Sequence, residues 1–121
     1  MEMFGPSSFD RVLLDPPCSG LGQRPRLTIA PVNLASFVTV QRKLFAEAVN
    51  CLKTGGRLVY STCTVTADEN TRMVEWALGQ FPLQLEQPAI VLGQLTPQGT
   101  QEFSPVVHTM GFFVAVFTKL E

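Results

Sequence analysis

Two cysteines sit in settings that suit chemistry more than packing. Cys18 belongs to Asp15-Pro16-Pro17-Cys18-Ser19-Gly20 and Cys63 to Tyr60-Ser61-Thr62-Cys63-Thr64, and each follows a short apolar run that reads as a β-strand. A thiolate is a strong nucleophile that forms covalent intermediates with electron-poor substrates. If the two strands pair in parallel, a right-handed crossover brings their carboxyl ends to one edge of the sheet. Neighbouring strands lie about 4.8 Å apart, so the two thiols then approach within roughly 5 to 10 Å. That edge is where open α/β sheets bind ligands. Asp15 closes the first strand and sets a carboxylate on the same edge. The third cysteine, Cys51, falls on the apolar face of a predicted helix and reads as a small core residue.

The elements that must position these groups follow from periodicity and punctuation. Arg11-Val12-Leu13-Leu14 is a buried strand closed by Asp15 and two prolines. Cys18 to Pro31 is rich in Gly, Pro and Ser and reads as a loop, with Arg24 and Arg26 available for phosphate contacts. Phe37 to Leu52 repeats at helical spacing, with Phe37, Val40, Leu44, Ala48 and Cys51 or Leu52 on the inner face. Gln41, Arg42, Lys43, Glu47 and Asn50 take the remainder of that helix. Lys53 favours its carboxyl end and Gly55-Gly56 terminates it. Arg57 to Ser61 is a second strand.

Thr66-Ala67-Asp68-Glu69 is a capping box, predicted to open a helix that buries Met73, Val74, Ala77, Leu78 and Phe81 before Pro82 stops it. Leu83 to Glu102 supports one short strand at most, and Gly111 to Phe117 is a closing strand with Phe112 and Phe113 in the core. His108 reads as a loop residue. The order strand, helix, strand, helix, strands predicts an α/β fold, a mostly parallel sheet with helices on its faces.

Composition narrows the classes. A chain of 121 residues, 45% hydrophobic, fills one modest core, so residues 1–121 are taken as one unit. Nine Lys plus Arg against ten Asp plus Glu give none of the basic excess of a free-standing nucleic-acid binder, so an RNA partner must be met by local charge. Three cysteines and one histidine make neither a disulfide framework nor a zinc site, which points to a reducing compartment. The apolar run Phe112 to Phe117 is far short of the roughly 20 residues that span a bilayer. Met1-Glu2-Met3 begins no signal peptide, so the expected setting is intracellular and cytoplasmic, with no membrane partner.

Taken together, Asp15 to Gly22, the Gln41-centred helix, Gly55 to Thr64, Glu69-Asn70 and Gly111 to Ala115 resemble the Sun-domain, RsmB-like RNA cytosine-5 methyltransferases. Gln23-Arg24-Pro25 and Gln41-Arg42-Lys43-Leu44-Phe45 look most like the sixth Sun-domain member. The resemblance implies the carboxyl-terminal portion of a Rossmann-like catalytic domain, S-adenosyl-L-methionine as cofactor, and RNA, of the transfer RNA class, as substrate. It implies that Cys63 adds to C6 of cytosine, that Cys18 aids product release and that Asp15 stands where cofactor and base meet. The Gly-rich, cofactor-binding half expected ahead of the first strand is not in the sequence, and Pro16 replaces a more usual Ala. The competing reading is a truncated, catalytically inactive family fragment that acts as a binding module or has no independent function.

Overall fold

A computed structural model describes residues 5–20, 33–87, 93–103 and 111–120. Its elements run β1 (Phe9–Leu14), α1 (Leu34–Cys51), β2 (Leu52–Thr62), α2 (Thr71–Gln80), β3 (Leu83–Glu86), β4 (Gln94–Leu95), β5 (Gln101–Phe103) and β6 (Phe112–Lys119). The strands form one sheet in the order β1-β2-β6-β5-β4, with β3 also pairing with β6.

The α/β class predicted from the element order is what the chain adopts. β1 and β2 pair in parallel, and β3 runs in their direction too. β6 enters between β2 and β3 in the opposite sense, so its ladders with β2, β3 and β5 are all antiparallel, as is β4 with β5. The sheet is therefore mixed, with its parallel ladder where the two cysteine segments emerge. The stretch from Leu83 to Glu102, for which at most one short strand was predicted, holds β3, β4 and the start of β5. Strands of two to four residues carry too little alternation to be read from sequence.

Alternation along β2 and β6 builds the core. Leu58 and Tyr60, and Phe113, Ala115 and Phe117, are buried on the face that receives the helices. Phe45 of α1 is the hub, with ring centroids 5.5 Å from Tyr60, 5.5 Å from Phe117, 6.0 Å from Phe81 and 6.2 Å from Trp76. Met73, Val74 and Ala77 pack from α2 as predicted, while Leu78 stays at the rim. On the opposite face Leu13 is 71% exposed. Among the described residues no helix is long and apolar enough to cross a membrane.

Helix α1 departs from the periodicity in three ways. It starts at Leu34, where the Asn33 side chain accepts a hydrogen bond from the Ser36 amide at 3.2 Å. Its inner face is turned by one residue, so Gln41, Phe45, Ala48 and Val49 are buried while Val40 and Leu44 are exposed. It also ends at Cys51, ahead of the predicted stop. The cation at its carboxyl end is Lys119, whose Nζ donates to the Val49 and Leu52 carbonyls at 3.0 and 2.8 Å. Lys53 instead faces Asp10 at 3.8 Å.

Gly55 and Gly56 serve the strand rather than the helix end. Phe9 pairs with Leu52 and Arg11 with Arg57, so β2 spends Lys53 to Gly56 where β1 spends Asp10 alone. Gly55 turns this bulge with φ of +80°, and a Cβ on it would meet nothing within 4 Å. A Cβ on Gly56 would lie 2.7 Å from Leu52 Cδ1 and 2.8 Å from the carbonyl oxygens of Asp10 and Lys53. Gly55→Ala should therefore cost about 1 kcal/mol, the penalty of a left-handed backbone. Gly56→Ala should cost more, about 3 kcal/mol, because two backbone segments must part. Urea unfolding of the two variants checks the order.

Candidate active site

The parallel β1–β2 ladder ends at Leu14 opposite Tyr60, where β1 leaves the sheet while β2 runs on against β6 to Thr62. Four residues on, Cys18 Sγ lies 3.1 Å from Cys63 Sγ, closer than strand spacing alone requires. Both cysteines are partly buried thiols. The next residues also meet, Ser19 Oγ standing 2.8 Å from Thr64 Oγ1. Asp15 follows β1 directly and is exposed, while Pro16 is buried. Cys51, by contrast, lies at the end of α1 and takes no part. Arg24, Arg26 and His108 lie outside the described residues.

A buried carboxylate holds this arrangement. Glu69 has no exposed surface. Its Oε1 accepts from the Ser19 amide at 2.7 Å and from Gln41 Nε2 at 3.0 Å, and its Oε2 from Ser19 Oγ at 2.7 Å and Thr66 Oγ1 at 2.6 Å. The capping box thus forms in altered shape. Thr66 Oγ1 accepts from the Glu69 amide at 3.4 Å, but the carboxylate turns to the Cys18 loop and α2 begins only at Thr71.

Neighbouring residues complete the network. Gln41 Nε2 also donates to the Pro17 carbonyl at 3.0 Å, and its Oε1 is buried with no hydrogen-bond partner among the described residues. Asn70 accepts from Thr62 Oγ1 at 2.6 Å and donates to the Thr64 carbonyl at 3.0 Å. The Tyr60 hydroxyl donates to the Glu69 carbonyl oxygen at 2.7 Å. Periodicity leaves Gln41 off the inner face of its helix and gives Asn70 no individual role. The sequence signal for both is the family resemblance, which includes the Gln41-centred helix and Glu69-Asn70, whereas local periodicity records neither contact because a buried carboxylate finds its donors across the chain.

Electrostatics follow from these contacts. Burial alone would raise the Glu69 carboxyl, but hydrogen bonds from Thr66, Ser19 and Gln41 outweigh it and hold the group below its ordinary value of 4.5. Burial first, and then the contact with Cys63, pushes the Cys18 thiol up to about 11. Cys18 therefore keeps its proton near neutrality and can donate it to Cys63, although either thiol could be the donor in their contact. Burial and the Glu69 charge push the Tyr60 hydroxyl far above its usual range.

Beside Thr64 opens a concavity of about 180 Å³ lined by Val65, Asn70, Gln94, Glu102, Phe103 and Phe112. Phe112, expected in the core, is 37% exposed, and its ring meets Phe103 edge-on at 6.3 Å. Phe113 is fully buried as predicted.

Comparison with known proteins gives consistent results. The family model described as 16S rRNA methyltransferase RsmB/F matches residues 1–118. The human tRNA (cytosine(72)-C(5))-methyltransferase NSUN6 is 54% identical over 92 residues, covering 72% of this chain and 20% of that protein. The Arabidopsis thaliana rRNA (cytosine-C(5))-methyltransferase NOP2C is 39% identical over 141 residues, covering 95% of this chain and 24% of that protein. The solved structure of NSun6 from Pyrococcus horikoshii with SFG superposes with a TM-score of 0.82 at 34% identity, covering 90% of this chain and 29% of that one. The chain thus spans less than a third of the length of these relatives.

The Glu69 network carries a pH signature. A folded-state value below the unfolded one means that the ionised carboxylate stabilises the fold above pH 4.5, and that this contribution is lost as pH falls through the folded value. Unfolding free energy should therefore drop with acidification below pH 4.5 in the native chain. Glu69→Gln should flatten that part of the curve, as measured by urea titration at successive pH values.

Proposed function

The chain belongs to the RsmB/F family of 16S rRNA methyltransferases, and from that premise we propose that its thiol edge serves RNA cytosine-5 methylation with transfer RNA as the substrate class. The observation that carries the reading is the 3.1 Å contact between Cys18 and Cys63 at the carboxyl edge of a parallel strand pair. The transfer RNA assignment rests on the 54% identity to human NSUN6.

In this reading Cys63 is the nucleophile. C5 of cytosine is unreactive until a group adds to C6 and pushes electron density into the ring. The Cys63 thiolate makes that bond. The Cys18 S–H stands 3.1 Å from the same sulfur. It stabilises the thiolate before attack, and it supplies a proton to the departing sulfur when the C5 proton passes to water and the C6–S bond breaks. A thiol held protonated by burial suits that donor role. The concavity between Thr64, the residue after Cys63, and the Phe103 and Phe112 rings offers room for an unstacked base.

S-adenosyl-L-methionine suits the residues at hand on one side. Asp15 offers an exposed carboxylate at the end of β1, the edge to which open α/β sheets bind such groups. When bound, the cofactor supplies the methyl group on a sulfonium. Asp15 would hold it beside the base, and also accept from the exocyclic amine that distinguishes cytosine from uracil. A second reading, a family fragment without catalysis of its own, is favoured by Leu13, 71% exposed on the uncovered side of β1.

Incubation with S-adenosyl-L-methionine and transfer RNA bearing 5-fluorocytosine, which cannot lose a C5 proton, separates these readings. The native chain should form an RNA adduct stable to denaturing electrophoresis, and Cys63→Ala should form none. With unmodified RNA, Cys18→Ala should accumulate adduct that the native chain releases. Capture that persists in Cys63→Ala would reverse the cysteine roles, and a folded chain that captures nothing would favour the fragment.

A further inference from the structure

Each cysteine is flanked by residues whose polar groups are tied to one dipeptide on the α2 side. Around Cys18, the Pro17 carbonyl is held by Gln41, itself bound to Glu69, and the Ser19 amide and hydroxyl are held by Glu69 directly. Around Cys63, the Thr62 hydroxyl and the Thr64 carbonyl are both held by Asn70. The two halves are stitched together by Ser19 Oγ against Thr64 Oγ1. We propose that Glu69 and Asn70 are the positioning residues of the thiol pair, Glu69 fixing the Cys18 segment and Asn70 the Cys63 segment. The inference rests on the reading of Cys18 and Cys63 as the reacting pair.

Stability alone does not call for a charge at this place. An ionised carboxylate loses its hydration when buried, and well-packed apolar groups often serve an interior as well or better. Glu69 recovers that loss through four donors, three of which lie on the Cys18 loop or on the residue that braces it. Such bonds are directional, so they fix where the Cys18 backbone sits rather than merely covering surface. Asn70 adds what a carboxylate cannot, a donor and an acceptor on one side chain, matching a hydroxyl and a carbonyl either side of Cys63. With both cysteines braced on both flanks, the S–H of Cys18 is kept on the sulfur of Cys63 through the making and breaking of a covalent bond there. A thiol displaced by about 1 Å is known in general to lose much of its effectiveness.

Phenylarsine oxide tests the spacing without RNA or cofactor. Its arsenic bonds to both sulfurs, and the two thiol protons leave with its oxygen as water, so affinity reports whether two thiols are held together. With Cys51→Ala in every protein to leave only the pair, the native site should bind the arsenical tightly. Glu69→Ala and Asn70→Ala should each weaken binding about tenfold or more, the worth of one or two lost hydrogen bonds. Glu69→Gln should recover part of the loss, because its amide oxygen still accepts from Ser19 and Gln41 while the two hydroxyls reverse. Leu83→Ala, which removes core packing where β3 meets Lys119 at the far end of β6, should bind like the native chain. Native affinity in folded Glu69→Ala, or an equal fall in Leu83→Ala, overturns the proposal. Should Glu69→Ala fail to fold, Ser19→Ala decides, since a clear loss supports the role and native affinity refutes it. A chain that follows this pattern yet captures no RNA refutes the catalytic reading and leaves the positioning role intact.

Discussion

A negative charge enclosed between a sheet edge and two helices organises everything near it. Glu69 is buried and ionised, so it must collect donors, and it draws them from three separate parts of the chain. Ser19 comes from the loop after β1, Gln41 from the middle of α1, and Thr66 from the turn after β2. Each of these segments loses freedom to satisfy one carboxylate. The rotation of α1, which buries Gln41 and leaves Val40 and Leu44 exposed, is one feature that goes with this network. The late start of α2 at Thr71 is another, because a carboxylate spent on the Cys18 loop cannot also cap the helix that follows it.

The remainder of the fold gives this network a rigid seat. The parallel β1–β2 ladder delivers both cysteine segments to one edge, and the antiparallel β2–β6 ladder stiffens β2 along Arg57 to Thr62. Under the sheet, Phe45 packs against Tyr60 and Phe117, and Tyr60 passes that support upward through its hydroxyl bond to the Glu69 carbonyl. Lys119 ties the end of β6 to the end of α1. Core packing and site geometry are thus continuous, with Tyr60 belonging to both.

Much of this was legible in the residues. The strand ends at Asp15 and near Cys63 follow from apolar runs stopped by prolines and by polar residues, and their shared edge follows from crossover handedness. Met73, Val74 and Ala77 on α2 obey simple helical periodicity. What periodicity missed are residues whose placement answers to a distant partner. Gln41 looks like a solvent residue until Glu69 is known to be buried 28 residues away. Lys119 as the cation at the end of α1 depends on a contact 70 residues apart. Gly55 and Gly56 carry an unambiguous turn signal, but a helix end and a strand bulge both use it. β5 pairs with β6 and β4 with β5, partnerships that no local pattern records.

The charge state of Glu69 underlies the account, and it is directly observable. A carbon-detected NMR titration of the Glu69 side-chain carboxyl in the folded chain should give a midpoint below 4.5, the signature of a carboxylate kept ionised by its donors. A midpoint at or above that value would mean that burial wins, that the group spends its time as a neutral acid, and that the bracing of the two thiols has another source.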